Sequence, residues 1–571
     1  MPHIPRCRQL PDDEAAEESA EPGPPPGRFA RLRRHPATVR CVSAGTGVAA
    51  GALVLFALLV PDRPERLSVA AFWRIPAEGV LLAGLLLVLP PRPRRWAAVA
   101  AGALLGMLTV LKAVDLGFRQ VLARPFDLVL DWVLLGFAAE FLRASFGRTG
   151  QVLAVAGAVL VVLAVPVLTT LAVARLARLA ARHRPVASRT ALTAGTAWLL
   201  CATLGLQAAG VPVAARSNAE LVGDRVEQVR AALRDARVFG RQAAADAFAG
   251  TPPGGLLAGL RGKDVLFTFV ESYGRTAIED PAMARQIGAV LEEGTRSLRA
   301  AGFEARSGWL RSPVAGAGSW LAHATFLSGL WVGNQQRYRT LTSGDRMTLT
   351  RAFRDTGAWR TVGIVPGVRR AWPEGAFFGL DHVYDSGHLG YRGPSFGWTP
   401  VPDQFTLEAF QRLEHGRAGR GPVMAEIVLA SSHHPWAPLP RLIDWDGLGD
   451  GSVFHRIKRD GEDPEEVWQD PERVRTAYRR AVGYALRSLI QWLERYGSAD
   501  TVLVFLGDHQ PVPTVTAGDT GRDVPVTLVA RDPDVLDRIA GWDWTGGLKP
   551  AGDAPRWGMD EFRDRFLTAY G

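Results

Sequence analysis

Lysine and cysteine are scarce in this chain of 571 residues. Only four of its 66 basic residues are lysines, so nearly all of the positive charge is carried by arginine. The three cysteines, Cys7, Cys41 and Cys201, all lie within the first 201 residues. Residues 202–571 therefore have no cysteine for a disulfide framework or a thiolate metal cluster.

An excess of positive charge is also missing from the larger, C-terminal part. The whole chain has a formal net charge of +9, but residues 212–571 contain 43 basic and 44 acidic residues. Residues 1–211 contain 23 basic and 13 acidic residues in a hydrophobic context. A nucleic-acid-binding domain needs its basic excess on a folded surface that can contact phosphates. We therefore predict that nucleic acid is not a partner.

The first 211 residues predict a disordered leader followed by membrane helices. The leader, residues 1–40, has an acidic, Pro/Gly-rich run and no apolar periodicity, which is typical of disorder. Apolar stretches of about 20 residues follow, the length that a spanning helix needs. They cover residues 41–60, 69–90, 96–114, 151–174 and 190–211. The sequence thus predicts a five-helix transmembrane domain over residues 41–211.

The arginines predict the orientation of these helices. Basic blocks at 28–40, 92–95 and 175–189 fall on the same side of the predicted membrane, as cytoplasmic loops do. With the leader in the cytoplasm and five spans, residues 212–571 lie outside a multi-pass cell-membrane protein. The apolar segment 126–142 carries Asp127, Asp131 and Glu140, so we predict an interfacial or re-entrant helix there and no sixth span.

Two features near the predicted membrane surface, a charged pair and a helical linker, are open to two interpretations each. Arg74 and Glu78, four residues apart, are either a mutually satisfied pair or a contact for a lipid headgroup. Residues 212–255 predict a juxtamembrane helical linker, in which Ser217 and Glu220 are spaced as a capping box. This linker is either a stalk along the outer leaflet or the first helix of the following domain.

Residues 256–571 predict an α/β domain. Short, continuous apolar runs alternate with helix-like stretches such as 471–497, which is typical of strands buried on both faces of a sheet. The runs cover residues 264–270, 361–366, 423–430, 501–507 and 524–530. They predict a mostly parallel sheet flanked by helices, with the active site beyond the carboxyl ends of its strands.

Polar residues follow three of these predicted strands. Glu271 follows the first, the Ser-Ser-His-His run 431–434 follows the third, and Asp508 with His509 follows the fourth. Hard oxygen ligands with one imidazole suit a divalent ion such as Mn²⁺, Mg²⁺ or Zn²⁺. A lone carboxylate at a strand end is commonly a helix cap, but the convergence of all three groups predicts a metal site.

Ser319 is the candidate nucleophile. It follows Gly316 and Gly318 and begins a predicted helix, where free N–H groups can hold a phosphate. The alternative is an ordinary serine N-cap without a catalytic role.

Four motifs together resemble the alkaline phosphatase/sulfatase superfamily. They are VLFTFVES at 265–272, the glycine-flanked Ser319 with a following histidine, SSHHPW at 431–436, and YRRAVGYALRSLIQWLE followed by VLVFLGDH at 502–509. With the membrane domain, the chain is most similar to the lipoteichoic acid synthase and phosphoglycerol transferase branch. The resemblance implies one Mn²⁺ held by Glu271, Ser319, Asp508 and His509, with Ser319 where the family has threonine. It also implies substrate contacts by His433 and Trp372, with Arg370 substituting for a family arginine.

The function implied by this resemblance is transfer of a phosphoglycerol-type headgroup. The donor is a phospholipid, the acceptor is a cell-envelope glycan or glycolipid, and the headgroup is carried on Ser319. The alternatives are a phosphoethanolamine transferase, a hydrolase of the same superfamily (phosphodiesterase, phosphatase or sulfatase), and a non-catalytic scaffold. The sulfatase signature C/S-x-P-x-R is absent, because Ser312-Pro313 does not fit it.

Overall fold

The computed structural model describes residues 36–571, apart from residues 123, 130, 209, 369–371 and 373. Most of the predicted leader, residues 1–35, lies outside the described residues. Within the described part, the N-terminal region up to residue 216 contains five α-helices: α1 (Pro36–Leu59), α2 (Ala77–Val88), α3 (Pro91–Leu122), α4 (Trp132–Arg182) and α5 (Arg184–Thr203).

Three helical segments of the described residues are long and apolar enough to cross a membrane. They are Cys41–Leu59 in α1, Pro91–Leu122 in α3 and Phe146–Arg182 in α4. The second and fifth predicted spans, 69–90 and 190–211, overlap α2 and α5, which fall short in length or in apolar character. Five spans therefore stay a prediction.

Helix α4 contains a sharp break. Gly147 has φ 70° and ψ −178° inside an otherwise continuous helix, a conformation that glycine adopts without a steric penalty. The break separates residues 132–146 from the spanning segment. The predicted interfacial helix at 126–142 therefore overlaps a short helix that is set off from the membrane-crossing one.

Helices α3 and α4 approach each other closely at two glycines one turn apart. A Cβ atom at Gly102 would lie 2.6 Å from Thr170 Cα, and one at Gly106 would lie 2.4 Å from Pro166 Cα. Thr169 Oγ1 also donates to the Gly102 carbonyl at 2.9 Å. Small residues at this spacing let membrane helices pack backbone to backbone.

Helix α6 (Ser217–Ala244) continues from the membrane region towards the C-terminal domain. The predicted capping box at its start is wrong: no side chain of its own caps the helix, and Glu220 Oε1 instead accepts from Arg216 Nε at 2.8 Å. Glu78 takes the capping role, because its Oε1 accepts from the backbone N–H groups of Asn218 and Ala219 at 3.0 Å each.

The C-terminal domain is built on a nine-stranded sheet of the described residues. The strands are β1 (Asp264–Val270), β2 (Glu304–Arg311), β3 (Arg360–Val365), β4 (His382–Asp385), β5 (Val423–Leu429), β6 (Thr501–Gly507), β7 (Asp523–Ala530), β8 (Thr545–Gly546) and β9 (Arg556–Gly558). Their order is β8-β2-β7-β6-β1-β5-β3-β4, and β9 also pairs with β2.

The sheet is mixed but mostly parallel, as predicted. Strands β6, β1, β5, β3 and β4 are mutually parallel, but β7 runs antiparallel to both of its neighbours. Every residue of β7 is buried, so its continuous apolar pattern does not distinguish it from a parallel strand. Strand β2 escaped prediction because its sequence EARSGWLR mixes charged and apolar residues.

Helices cover both faces of this sheet, as predicted for an α/β domain. They are α7 (Arg275–Glu279), α8 (Pro281–Ala300), α9 (Ser319–Ser328), α10 (Gln335–Thr342), α11 (Leu349–Asp355), α12 (Gly375–Phe378), α13 (Asp403–Phe410), α14 (Phe454–Arg459), α15 (Pro464–Val467), α16 (Pro471–Tyr496), α17 (Pro513–Thr516), α18 (Pro533–Asp537) and α19 (Phe562–Tyr570). One hydrophobic cluster joins α8 and α16 to the sheet, and a second joins α9, α11 and α19 to the opposite face.

Candidate active site

The candidate site lies where the three central strands end. Strand β1 pairs with β6 on one side and β5 on the other, all in parallel. Their carboxyl ends therefore meet at one edge of the sheet, which is where ligands bind in such folds. Glu271 directly follows β1 and Asp508 directly follows β6, and both side chains are buried. The fold thus brings together carboxylates that are 237 positions apart in the sequence.

Backbone hydrogen bonds fix the Asp508 side chain. Its Oδ1 accepts from the N–H groups of Ser272 and His509, at 2.7 Å each. This arrangement depends on Gly507, the last residue of β6, because a Cβ atom there would lie 1.8 Å from the Tyr273 carbonyl oxygen. The turn after β1 can therefore fold over the end of β6 only where the side chain is absent.

Ser319 is the first residue of α9, and its hydroxyl points at the buried carboxylate and imidazole. Its Oγ donates to Glu271 Oε2 at 2.9 Å and lies 3.3 Å from His509 Nε2. Two further serine hydroxyls also form hydrogen bonds at this site. Ser272 Oγ donates to Glu271 Oε1 at 2.8 Å, and Ser312 Oγ donates to the Asp508 carbonyl at 2.6 Å.

The ring of His509 is held in one tautomer. Its Nδ1 lies 2.8 Å from the Gln510 carbonyl oxygen, which can only accept, so Nδ1 carries the proton. The lone pair of Nε2 is then free to face Ser319. A backbone carbonyl that orients an imidazole in this way is a common partner of metal-ligating histidines.

Glu271, Asp508 and His509 fit a divalent cation. Their ligand atoms all lie within 4.8 Å of one another. Asp508 Oδ2 is buried and has no hydrogen-bond partner, which is costly for a carboxylate oxygen unless a cation contacts it. The donor set of carboxylate oxygens, one imidazole nitrogen and a nearby hydroxyl suits Mn²⁺, Mg²⁺ or Zn²⁺.

The two carboxylates have opposite electrostatic environments. Burial works against the charge of Glu271, but nearby His509 and His433 and the Ser272 hydrogen bond lower its pKa to about 2. Burial raises the pKa of Asp508, and the negative charge of Glu271 raises it further. Two neighbouring carboxylates ionise together only when positive charge is added between them. This is the electrostatic requirement that a divalent cation meets.

His433 lies beside the candidate ligands but is held by different contacts. Its Nδ1 donates to the His434 carbonyl at 2.7 Å, so its Nε2 carries a lone pair. Burial lowers the pKa of His433, and burial together with His433 lowers that of His434 to about 3. Both rings are therefore neutral near pH 7, and His433 Nε2 can accept a hydrogen bond.

Trp398 is an aromatic residue of this region that the motifs did not reveal. Its ring stacks on His433 with centroids 4.3 Å apart and an angle of 21° between the planes. It also covers Gly367 in the turn after β3, where a Cβ atom would lie 3.1 Å from the indole. Its position could have marked it as a candidate from the sequence, because it is a tryptophan inside the Gly/Pro-rich loop 387–402, where packing alone does not require one.

Of the other two predicted substrate residues, the structure describes only Trp372. Trp372 stacks on Phe378 with centroids 5.5 Å apart, against the hydrophobic cluster of α9, α11 and α19. Arg370 lies outside the described residues. Among the described residues, the tryptophan that stacks on His433 is Trp398.

The membrane region contributes to the surroundings of the site. A Cβ atom at Gly316, in the loop before Ser319, would lie 2.9 Å from the Val121 carbonyl oxygen at the end of α3. The ring of Phe141, in the short helix before the α4 break, lies 5.8 Å from the His434 ring between centroids. The nucleophile loop and the histidine pair thus both contact segments that adjoin the membrane helices.

No protein-family model and no curated protein matches the chain. Among solved structures, it is similar to the lipoteichoic acid synthase LtaP from Listeria monocytogenes, with 14% identity over 59% of this chain and 78% of that one, at a TM-score of 0.39. The phosphoglycerol transferase GacH from Streptococcus pyogenes, in complex with sn-glycerol-1-phosphate, has 11% identity over 59% and 91% of the two chains, at 0.33. A protein in the alkaline phosphatase superfamily from Vibrio parahaemolyticus has 15% identity over 52% and 69%, at 0.32. The similar structures thus include a member of the superfamily that the motifs resemble.

Proposed function

We propose that the protein is a membrane-anchored, metal-dependent transferase that moves a phosphoglycerol-type headgroup from a phospholipid to a cell-envelope glycan or glycolipid. The headgroup is carried as a phosphodiester on Ser319. The catalytic domain faces the outside of the cell membrane, as the arginine pattern predicts. A phospholipid is available as donor there, whereas ATP is not.

One arrangement carries this proposal. Ser319 Oγ lies at the first turn of a helix, 2.9 Å from Glu271 Oε2 and 3.3 Å from His509 Nε2. The N–H groups of a helix start favour an anionic phosphate in front of this hydroxyl. The loop before Ser319 packs against the end of α3, one of the helices able to cross a membrane. A phosphate ester in a lipid headgroup would therefore lie near this hydroxyl.

The reaction proceeds in two displacements at phosphorus. Ser319 Oγ forms a bond to phosphorus, the bond from phosphorus to the diacylglycerol oxygen breaks, and the leaving oxygen takes up the proton that the serine gives up. An acceptor hydroxyl then displaces Ser319, and the proton of that hydroxyl returns to Ser319 Oγ. His433 accepts a hydrogen bond from the headgroup or from the acceptor hydroxyl through its free Nε2.

A divalent cation fits Glu271, Ser319, Asp508 and His509, and it would supply charge stabilisation for the phosphoryl oxygens and the serine oxygen. Among the candidates, Mn²⁺ is the ion that the sequence resemblance implies. The residues themselves orient the hydroxyl, hold its proton and exclude bulk water from the buried carboxylates.

A hydrolase of the same superfamily is the second candidate, and the exposure of the nucleophile favours it. Ser319 is partly exposed, whereas Glu271, Asp508 and His509 are buried. Water can therefore reach a phosphorylated Ser319 from the open side. A phosphoethanolamine transferase differs from the proposal only in the headgroup.

The test incubates the purified full-length protein and Mn²⁺ with phosphatidylglycerol labelled in its headgroup, or with phosphatidylethanolamine labelled likewise. We expect diacylglycerol release from phosphatidylglycerol and the label on an added glycolipid acceptor, with no release by Ser319→Ala. Label found only in water as free glycerol phosphate would identify a hydrolase. Absence of diacylglycerol release from both lipids would contradict the proposal. A reporter fused after Gly571 that works only in the cytoplasm would overturn the orientation.

A further inference from the structure

A cleft of about 970 Å³ lies in the membrane region, away from the catalytic residues. We call it the loop cleft. One wall is formed by residues 61–74, between α1 and α2, and the other by residues 198–224, where α5 passes into α6. Helix α6 separates the two sites: Glu220 lines the cleft, whereas Asp235 contacts the catalytic domain through Arg337. Fifteen helical residues correspond to about 22 Å.

The loop cleft contains arginines that form no ion pair among the described residues. Arg74 Nε donates to the Pro212 carbonyl at 2.9 Å and its NH1 donates to Ser217 Oγ at 3.3 Å, which fixes the guanidinium between the two walls. Its predicted partner Glu78 is engaged elsewhere, in capping α6. Arg66 is exposed and likewise has no carboxylate within 4 Å in the part of the chain that the structure describes.

Two of the four acidic residues that line the cleft pair with other arginines. Glu220 pairs with Arg216 at 2.8 Å, and Asp62 lies 3.9 Å from both Arg63 and Arg119. Glu65 and Asp224 also line the cleft. Arg66 and Arg74 are therefore the cationic groups available to bind an added anion. Both acidic and basic residues line the cleft around them.

The rim beside these arginines is apolar and exposed. Val69 and Trp73, on the segment between Arg66 and Arg74, have 78% and 75% of their surface exposed, and Leu67 is exposed beside them. On the opposite wall, Leu204 and Leu206 are exposed as well. Tryptophan and aliphatic side chains of this kind are typical of the boundary between lipid headgroups and acyl chains. This segment directly follows α1, one of the helices able to span a membrane.

We propose that the loop cleft binds the phosphate headgroup of a glycerophospholipid, with Arg66 and Arg74 contacting the phosphate and the apolar rim contacting the acyl chains. Planar guanidinium groups recognise phosphate oxygens through paired hydrogen bonds. An apolar rim adds affinity only for a ligand with acyl chains, so lipid is favoured over a free phosphate ester. The site is separate from the catalytic centre and does not depend on the proposed transferase activity.

The test measures binding to the full-length protein in detergent by calorimetry. Three probes are compared. Dihexanoyl phosphatidylglycerol carries both the phosphate and the acyl chains, glycerol phosphate carries the phosphate alone, and dihexanoylglycerol carries the acyl chains alone. We expect the first to bind most tightly. R66Q/R74Q should weaken its binding roughly tenfold or more, since charge-assisted hydrogen bonds are lost. The matched control R92Q/R95Q removes two exposed arginines at the N-terminal end of α3, outside the loop cleft. This control should bind the lipid as tightly as the parent does.

Three outcomes would overturn the proposal. They are an unchanged Kd in R66Q/R74Q, an equal loss in R92Q/R95Q, and binding of glycerol phosphate as tight as that of the lipid. Because Arg74 also links the two cleft walls, R66Q/R74Q could fail to fold. W73A, which changes only an exposed side chain, then takes its place. Weaker lipid binding by W73A with unchanged glycerol phosphate binding supports the proposal, and unchanged lipid binding contradicts it.

Discussion

Substitution of Gly507 by alanine tests how closely the active-site turns must approach each other. The added Cβ atom would lie 1.8 Å from the Tyr273 carbonyl oxygen, whereas real contacts of this kind stay above 3.0 Å. The two backbones must therefore part by about 1.2 Å. Both belong to the site: Gly507 precedes Asp508, and Tyr273 follows the Ser272 N–H group that holds Asp508 Oδ1 at 2.7 Å.

A displacement of this size is large on the scale of catalysis. Misplacement of reacting groups by about 1 Å can cost about 100-fold in rate, or about 2.7 kcal/mol in transition-state stabilisation. We therefore expect Gly507→Ala to lower the rate of diacylglycerol release by about two orders of magnitude and to weaken metal binding. Overpacking of the buried strand end should also destabilise the domain by about 1–3 kcal/mol.

The assay combines three measurements on the same preparation: the rate with phosphatidylglycerol, the metal content and the melting temperature. Gly421→Ala is the matched control, because Gly421 lies just before β5 and a Cβ atom there meets nothing within 4 Å. This control should keep the parental rate. A Gly507→Ala variant that is folded and as active as the parent would refute the reasoning, since the turns would then tolerate the separation.

The remaining predictions concern single side chains. Ser319→Ala should abolish transfer and Ser319→Thr should keep part of it; mass spectrometry after substrate trapping should find the phosphorylated adduct on Ser319 and on no other residue. Asp508→Ala should lose both bound metal and activity, and unchanged metal content would exclude it as a ligand. His433→Ala should lose turnover while retaining the metal, so metal loss would make His433 a ligand. Burial raises the pKa of Asp264, but hydrogen bonds from His415 and Arg420 outweigh it and hold that pKa at about 2, below the ordinary 3.8. The stability from Asp264 is thus full above pH 4 and lost as the pH falls through 2. Asp264→Asn should lower the melting temperature at pH 7 and flatten its decline between pH 4 and pH 2.

The strands that carry the ligand candidates could be predicted because they are buried on both faces. Glu271 and Asp508 follow apolar runs that the structure assigns as β1 and β6, with the predicted bounds. Parallel neighbours end at the same edge, so the convergence of these side chains follows from the pattern. Strand β7 has the same apolar character but runs in the opposite direction, because direction depends on the connections between strands.

Features that depend on contacts between distant segments could not be predicted. Trp398 reaches His433 from a loop 35 positions earlier, and no local pattern identifies this stacking. The cap of α6 comes from Glu78, 139 positions before Ser217, instead of from Glu220. Trp372 fitted the motif, yet its contact with Phe378 ties it to the hydrophobic packing.

Helix α6 forms ion pairs with both the membrane region and the C-terminal domain, which has a kinetic consequence. Near its middle, Arg225 pairs with the buried Asp115 of α3, and ten residues later Asp235 accepts from Arg337 Nε of α10 at 2.8 Å. The catalytic domain is therefore clamped to the membrane helices, unlike a domain on a loose tether that samples a large volume. A substrate embedded in the same bilayer must reach the active site by lateral diffusion in two dimensions. Turnover should then follow the mole fraction of that lipid in the membrane, so dilution with an inert lipid slows the reaction even when the total lipid concentration in the sample is unchanged.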